Sequence, residues 1–118
     1  MRHVPSAEAQ SAVVVMDGSG MVVDWNAGAE AVFGWSRDEA IGARLSNLII
    51  PERFRAAHDA GLHRFATTGQ GGAFIGKTME IVALDRDGRE FPVEISISME
   101  QTAEGPRFRT VARRTQAA

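Results

Sequence analysis

The stretch "PERFRAAHDAGLHRF" (Pro51 to Phe65) places an imidazole, His58, inside a run with helical spacing. On a wheel of about 100° per residue, Phe54, Leu62 and Phe65 fall within about 40° of His58, which is therefore central to an apolar stripe. Gly61 lies on the same side, where its missing side chain would let a flat group or a backbone come close. His63 is about 140° round the helix, so the two imidazoles cannot chelate one metal. Two chemistries stay open for His58. A neutral imidazole on an apolar wall can ligate iron. It can equally be a core side chain with one ring nitrogen bonded to a carbonyl or a water.

A second candidate follows directly. "GGAFIGKT" (Gly71 to Thr78) fits the G-x-x-x-x-G-K-[ST] phosphate loop, and "IVALD" supplies a hydrophobic run ending in Asp85. The pattern binds phosphate only when a strand precedes the loop and a helix follows it, so that loop amides and helix end converge. Here the order is reversed. A helix precedes the glycines, and alternating "TMEIVALD" follows Lys77 with no room for a crossover helix. The glycines are expected to let the chain leave a helix and enter an edge strand.

The remaining chemistry-bearing residues are scattered. Trp25 and Trp35 read as packing residues at a strand end and between helices, although a flavin could stack on either. Glu80, Asp85, Glu90 and Glu94 alternate along strands and should face solvent. No spacing supplies paired carboxylates or a Ser-His-Asp set, and His3 lies in a tail. The chain has no cysteine, which excludes disulfides, thiol catalysis and cysteine-ligated clusters. Its net charge of -2 lacks the basic face that nucleic acid requires. Its apolar runs are too short to cross a bilayer, and Met1 to Gln10 lacks the apolar core of a signal peptide. A cytoplasmic protein with no membrane or nucleic-acid partner is the expectation.

The elements that must hold His58 are readable in order. With 118 residues the chain is one domain, preceded by a tail or short helix over 1–10 and followed by a tail over 115–118. "AVVVMD" and "MVVDWN" flank a "GSG" turn and form a hairpin. Asn26 can cap "AGAEAVFGW", Ser36 with Glu39 forms a capping box for "SRDEAIG", and Asn47 is expected to begin a further turn. Pro51 to about Thr68 is helical, with Gly69 just past its end. "TMEIVALD" and "REFPVEISISME" alternate around "RDG", and "PRFRTVARR" forms the last strand. Phe91, Val93, Ile95 and Ile97 should share one face, with Glu94, Ser96 and Ser98 on the other. Helices between two blocks of hairpin-linked strands make an α+β fold with an antiparallel sheet.

"DWNAGAEAVFGWSRDEAIGARLSNLIIPERFRAAHDAGLHRF", followed by "DRDGREFPVEISIS", resembles the PAS (sensory-box) family over about residues 11 to 114. The resemblance implies a five-stranded antiparallel sheet in the order 2-1-5-4-3, with helices packed on one face and a pocket beneath the long helix. It also implies a sensor or dimerisation module rather than an enzyme, pairing as a homodimer and serving an effector domain or partner protein such as a kinase. Within the family, "PERFRAAHDAGLHRFATTG" is most similar to the haem-binding PAS domains of oxygen-sensing kinases. Their axial histidine corresponds to His58, and Phe54, Leu62, Phe65, Ile95 and Ile97 would line the cofactor pocket. Where those sensors place a distal arginine for bound oxygen, this chain has Met79, with Lys77 two residues earlier.

Overall fold

The computed structural model describes residues 11–68 and 75–115, with the side chains of 65–68 outside that description. The expected tail over 1–10, all but Thr115 of the expected tail over 115–118, the helix exit at Gly69 and most of the glycine-rich segment therefore lie outside the described residues, as does the Phe65 side chain. The elements run β1 (Ala12–Asp17), β2 (Val22–Trp25), α1 (Ala27–Phe33), α2 (Arg37–Ala40), α3 (Leu45–Ile49), α4 (Glu52–Thr68), β3 (Thr78–Leu84), β4 (Glu90–Thr102) and β5 (Gly105–Arg114). The strands form one antiparallel sheet in the order β2-β1-β5-β4-β3.

Alternation decides the faces. Phe91, Val93 and Ile95 are buried and Ile97 half-buried, while Glu94 is half-buried and Ser96 and Ser98 are exposed on the other face. On β5 and β1 the inward positions are Phe108 and Ala112, and Ala12, Val14 and Met16. Pro92 falls where its missing N–H costs least. Its carbonyl accepts from Thr115 N at 3.3 Å, just beyond Val93↔Arg114, the last paired position of β4 and β5.

Asn26 fixes the first helix to the sheet. Its Oδ1 accepts from Ala29 N at 2.8 Å as an N-cap and from Val13 N at 2.9 Å, while Nδ2 donates to Ser11 O at 3.2 Å. The helix comes so close to the start of β1 that a Cβ at Gly28 would lie 2.1 Å from Ser11 O. The capping box of Ser36 and Glu39 forms as expected, although α2 ends at Ala40 rather than running on to Gly42. The turn expected at Asn47 is instead the interior of α3, which starts after Arg44 with no side-chain cap and so leaves no signal in the sequence.

The core is a single cluster around Trp25, Phe33, Val14, Val22 and Val93. Trp25 is fully buried against Phe33, with ring centroids 5.8 Å apart, and its indole N–H donates to Trp35 O at 3.0 Å. Trp35 in turn donates to Leu48 O at 3.2 Å, so two indoles tie β2 to α3. No described helix is long and apolar enough to cross a membrane.

Candidate functional site

Helix α4 is held at its edges rather than along its length. Arg53 makes a two-pronged ion pair with Glu90 at the start of β4, with Nη2 2.7 Å from Oε1. Arg55 Nε donates to Ser46 O at 2.9 Å and Ile50 O at 2.8 Å, closing the corner between α3 and α4. At the far end, Leu62 Cδ2 lies 3.1 Å from the point where a Cβ on Gly20 would sit, beside the β1–β2 turn. The helix crosses the sheet between these tethers and leaves a gap beneath its middle.

That gap is a cavity of about 700 Å³, within the range of small-molecule sites. Its helix wall includes His58, Gly61 and Leu62, and its sheet wall Met79, Ile95 and Ile97. The expected site residues therefore do converge, with Phe54 at the rim and Phe65 outside the described side chains. Sequence reasoning did not include Met16 and Phe108, which face the same space from β1 and β5, or Arg64 and Glu80, which add charge to the wall. The inward alternation of β1 and β5 carried a signal for the first two.

The apolar stripe implied a buried Phe54, and one of the two roles left open for His58 was that of a core side chain. Phe54 is not buried but 44% exposed, because no solid core lies beneath the first turn of α4. Its ring instead carries the Arg53 guanidinium 4.6 Å from the centroid. His58 is not enclosed in a packed core either, since its side chain is 28% exposed and borders the cavity. Its Nδ1 lies 3.4 Å from Asp59 Oδ1, a long contact whose donor follows the tautomer of the ring. His63 is on the exposed side of α4, as expected, and no cluster of metal-ligating groups forms among the described residues. Neither Trp25 nor Trp35 borders the cavity, so neither offers a stacking face to a ligand there.

The residues present fit a haem. The cavity has apolar walls, an imidazole whose other nitrogen meets a carboxylate, and Gly61, beside which a Cβ would meet nothing within 4 Å. The arrangement suits a flat or elongated apolar group with one polar end toward Arg64.

A five-stranded antiparallel sheet in the order β2-β1-β5-β4-β3, roofed by helices over an apolar cavity, has the architecture of a sensory domain. The family described as the PAS fold matches residues 3–111, and the chain belongs to it. The chain is similar to the sensor protein FixL of Bradyrhizobium diazoefficiens, 37% identical over 97 residues that cover 82% of this chain and 19% of that protein. An uncharacterized protein of Azorhizobium caulinodans is 36% identical over 97 residues, covering 82% of this chain and 13% of its own length. The chain thus spans less than a fifth of either relative. Among solved structures, the PAS domain of a Colwellia psychrerythraea protein matches with TM-score 0.68 and 24% identity, covering 89% of this chain and 86% of that one. The PAS domain of the Cronobacter turicensis quorum-sensing receptor RpfR, in complex with C12:0, matches with TM-score 0.70 and 18% identity, covering 97% of this chain and 100% of that one. These two likenesses concern the fold.

Proposed function

We propose that this PAS sensory domain binds a small cofactor in the cavity between α4 and the sheet and relays its state to an effector. The cofactor the site suits best is haem, whose iron the His58 imidazole would hold. The observation that carries this reading is the His58 imidazole on the cavity wall with its Nδ1 facing Asp59. Bound haem would supply an iron centre for a gas or redox signal. The chain's own residues do the rest. His58 presents Nε2, Asp59 orients the ring, Met79, Ile95 and Ile97 keep the sheet wall apolar, and Arg64 meets an acidic edge.

Addition of haem to the purified protein should give a sharp Soret band that His58→Ala loses and His63→Ala keeps. A Soret band that survives His58→Ala removes His58 from the reading. A second reading is a fatty-acid-like amphiphile, favoured by the apolar cavity with Arg64 on its wall and by the C12:0 bound to RpfR. Displacement of a fluorescent fatty acid by dodecanoate, together with no Soret band, would select it. A third possibility, a ligand-free module that only pairs, predicts neither response. Pairing as a homodimer and service to a kinase-like effector belong to the same proposal. Sedimentation showing only monomer at high concentration would remove the homodimer from it.

A further inference from the structure

We infer that two copies of this chain pair edge to edge along β3, antiparallel about a two-fold axis beside Ile81, joining their sheets into one. The inference rests on the homodimer proposed above and names its surface. The two edges of the sheet differ. The outer side of β2 is covered by the chain that links α2 to α3. Val22 N donates to Ala43 O at 2.8 Å, Gly42 N donates to Val22 O at 2.9 Å, and Met21 bridges to Arg44. The outer side of β3 has no such cover among the described residues.

The ladder decides which groups β3 leaves open. Thr115 N donates to Pro92 O, so the even residues of β4 bond toward β5 and the odd ones toward β3. Asp85 N donates to Arg89 O at 2.9 Å, at the pair after Leu84↔Glu90, which fits the same parity. Met79, Ile81 and Ala83 therefore bond to β4, and the N–H and C=O groups of Thr78, Glu80, Val82 and Leu84 point away from the sheet. Nothing in the strand blunts this edge. It has no proline, its register with β4 is unbroken, and Val82 is 38% exposed.

The strand fits a second copy of itself in one register. With Ile81 opposite Ile81 of the second copy, the whole of Thr78–Leu84 pairs, in roughly eight N–H···O bonds. Glu80 then faces Val82 of the second copy, and Lys77, the chain's only lysine, faces Asp85. The neighbouring symmetric registers are worse. One sets Glu80 against Glu80, and the other sets Met79 against Asp85 and runs Thr78 into the turn at Arg86. Opposite charges at both ends of an apolar centre thus favour a second copy over an unrelated extended peptide. Met79 and Ile81 also border the cavity, so the pairing sets two ligand sites side by side across the axis.

Sedimentation and cross-linking test this. The wild type should dimerise reversibly, and more weakly at high salt, because the exposed Lys77 takes part. Val82→Pro removes a donor from the open edge and none toward β4. Its far-UV spectrum should be kept while the dimer dissociation constant rises roughly tenfold or more, since the axis removes the bond twice. The chain has no cysteine, so single-cysteine variants report the register. Ile81→Cys should give a covalent dimer on mild oxidation, because Cα atoms at such a non-bonded pair lie about 4.5 Å apart. Thr78→Cys should give none, with its two copies roughly 20 Å apart. A dimer unchanged by Val82→Pro, or cross-linking at Thr78→Cys in place of Ile81→Cys, overturns the assignment and leaves a homodimer through another surface. A wild type that stays monomeric overturns the homodimer and this inference together, and leaves the cofactor reading untouched.

Discussion

Asn26 shows how much one side chain can organise. Its amide serves as cap to α1 and as a clamp on Ser11 and Val13, so Asn26→Ala removes a cap and leaves partly buried backbone groups unpaired. The expected cost is about 2–4 kcal/mol, read as a lower urea midpoint with an unchanged slope. Asn26→Asp keeps the cap but loses the donor to Ser11 O, and should fall between the two. Gly28→Ala acts at the same junction through sterics, because its Cβ would press into Ser11 O. A loss of about 1–3 kcal/mol is expected, and a neutral Gly28→Ala would mean that α1 shifts freely against β1.

At the level of elements, α4 depends on its tethers. Hydrogen bonding from Arg53 holds the Glu90 carboxyl below its ordinary value despite the opposing effect of desolvation, and the arginine's charge adds to this. A carboxyl depressed in the folded state contributes stability above its unfolded value, about pH 4.3, and loses it as pH falls through the lower folded value. The melting temperature of wild type should therefore exceed that of Glu90→Gln at neutral pH, and the two should converge in acid. A difference that persists below the folded value would mean that Glu90 acts by packing. The elements themselves were largely legible. The inward set on β4, the Asn26 cap and the Ser36–Glu39 box each follow from local chemistry written in adjacent residues. The start of α3 was not, because Arg44 offers no capping side chain. The exposure of Phe54 was not either, since a helix wheel reports which residues share a face and not whether that face meets atoms or a gap.

For the whole molecule the cavity is the central fact, and it is illegible in sequence because a filled core and a hollow one need the same apolar lining. Its cost to the fold can be tested. Gly61→Leu gains about 0.8 kcal/mol of helix propensity and places apolar atoms in open space. The apo protein should become more stable, by about 1–2 kcal/mol in urea titration, and haem uptake should disappear. A stabilised variant that still binds haem would move the site elsewhere. The sheet's order has one more consequence, for the route by which the molecule forms. Strands β4 and β5 pair from Thr102↔Gly105 to Val93↔Arg114 across a two-residue loop, whereas β1 meets β5 at Ala12↔Ala112, about 100 residues apart in the chain. Closing the second pairing from an open chain costs about 4 kcal/mol of entropy that the hairpin does not incur. The hairpin should therefore nucleate folding, and the β1–β5 seam should zip late. Truncations at Ile97 or Phe108 should slow refolding, while Val14→Ala should chiefly speed unfolding, so that the strand joining first in sequence is among the last to join in time.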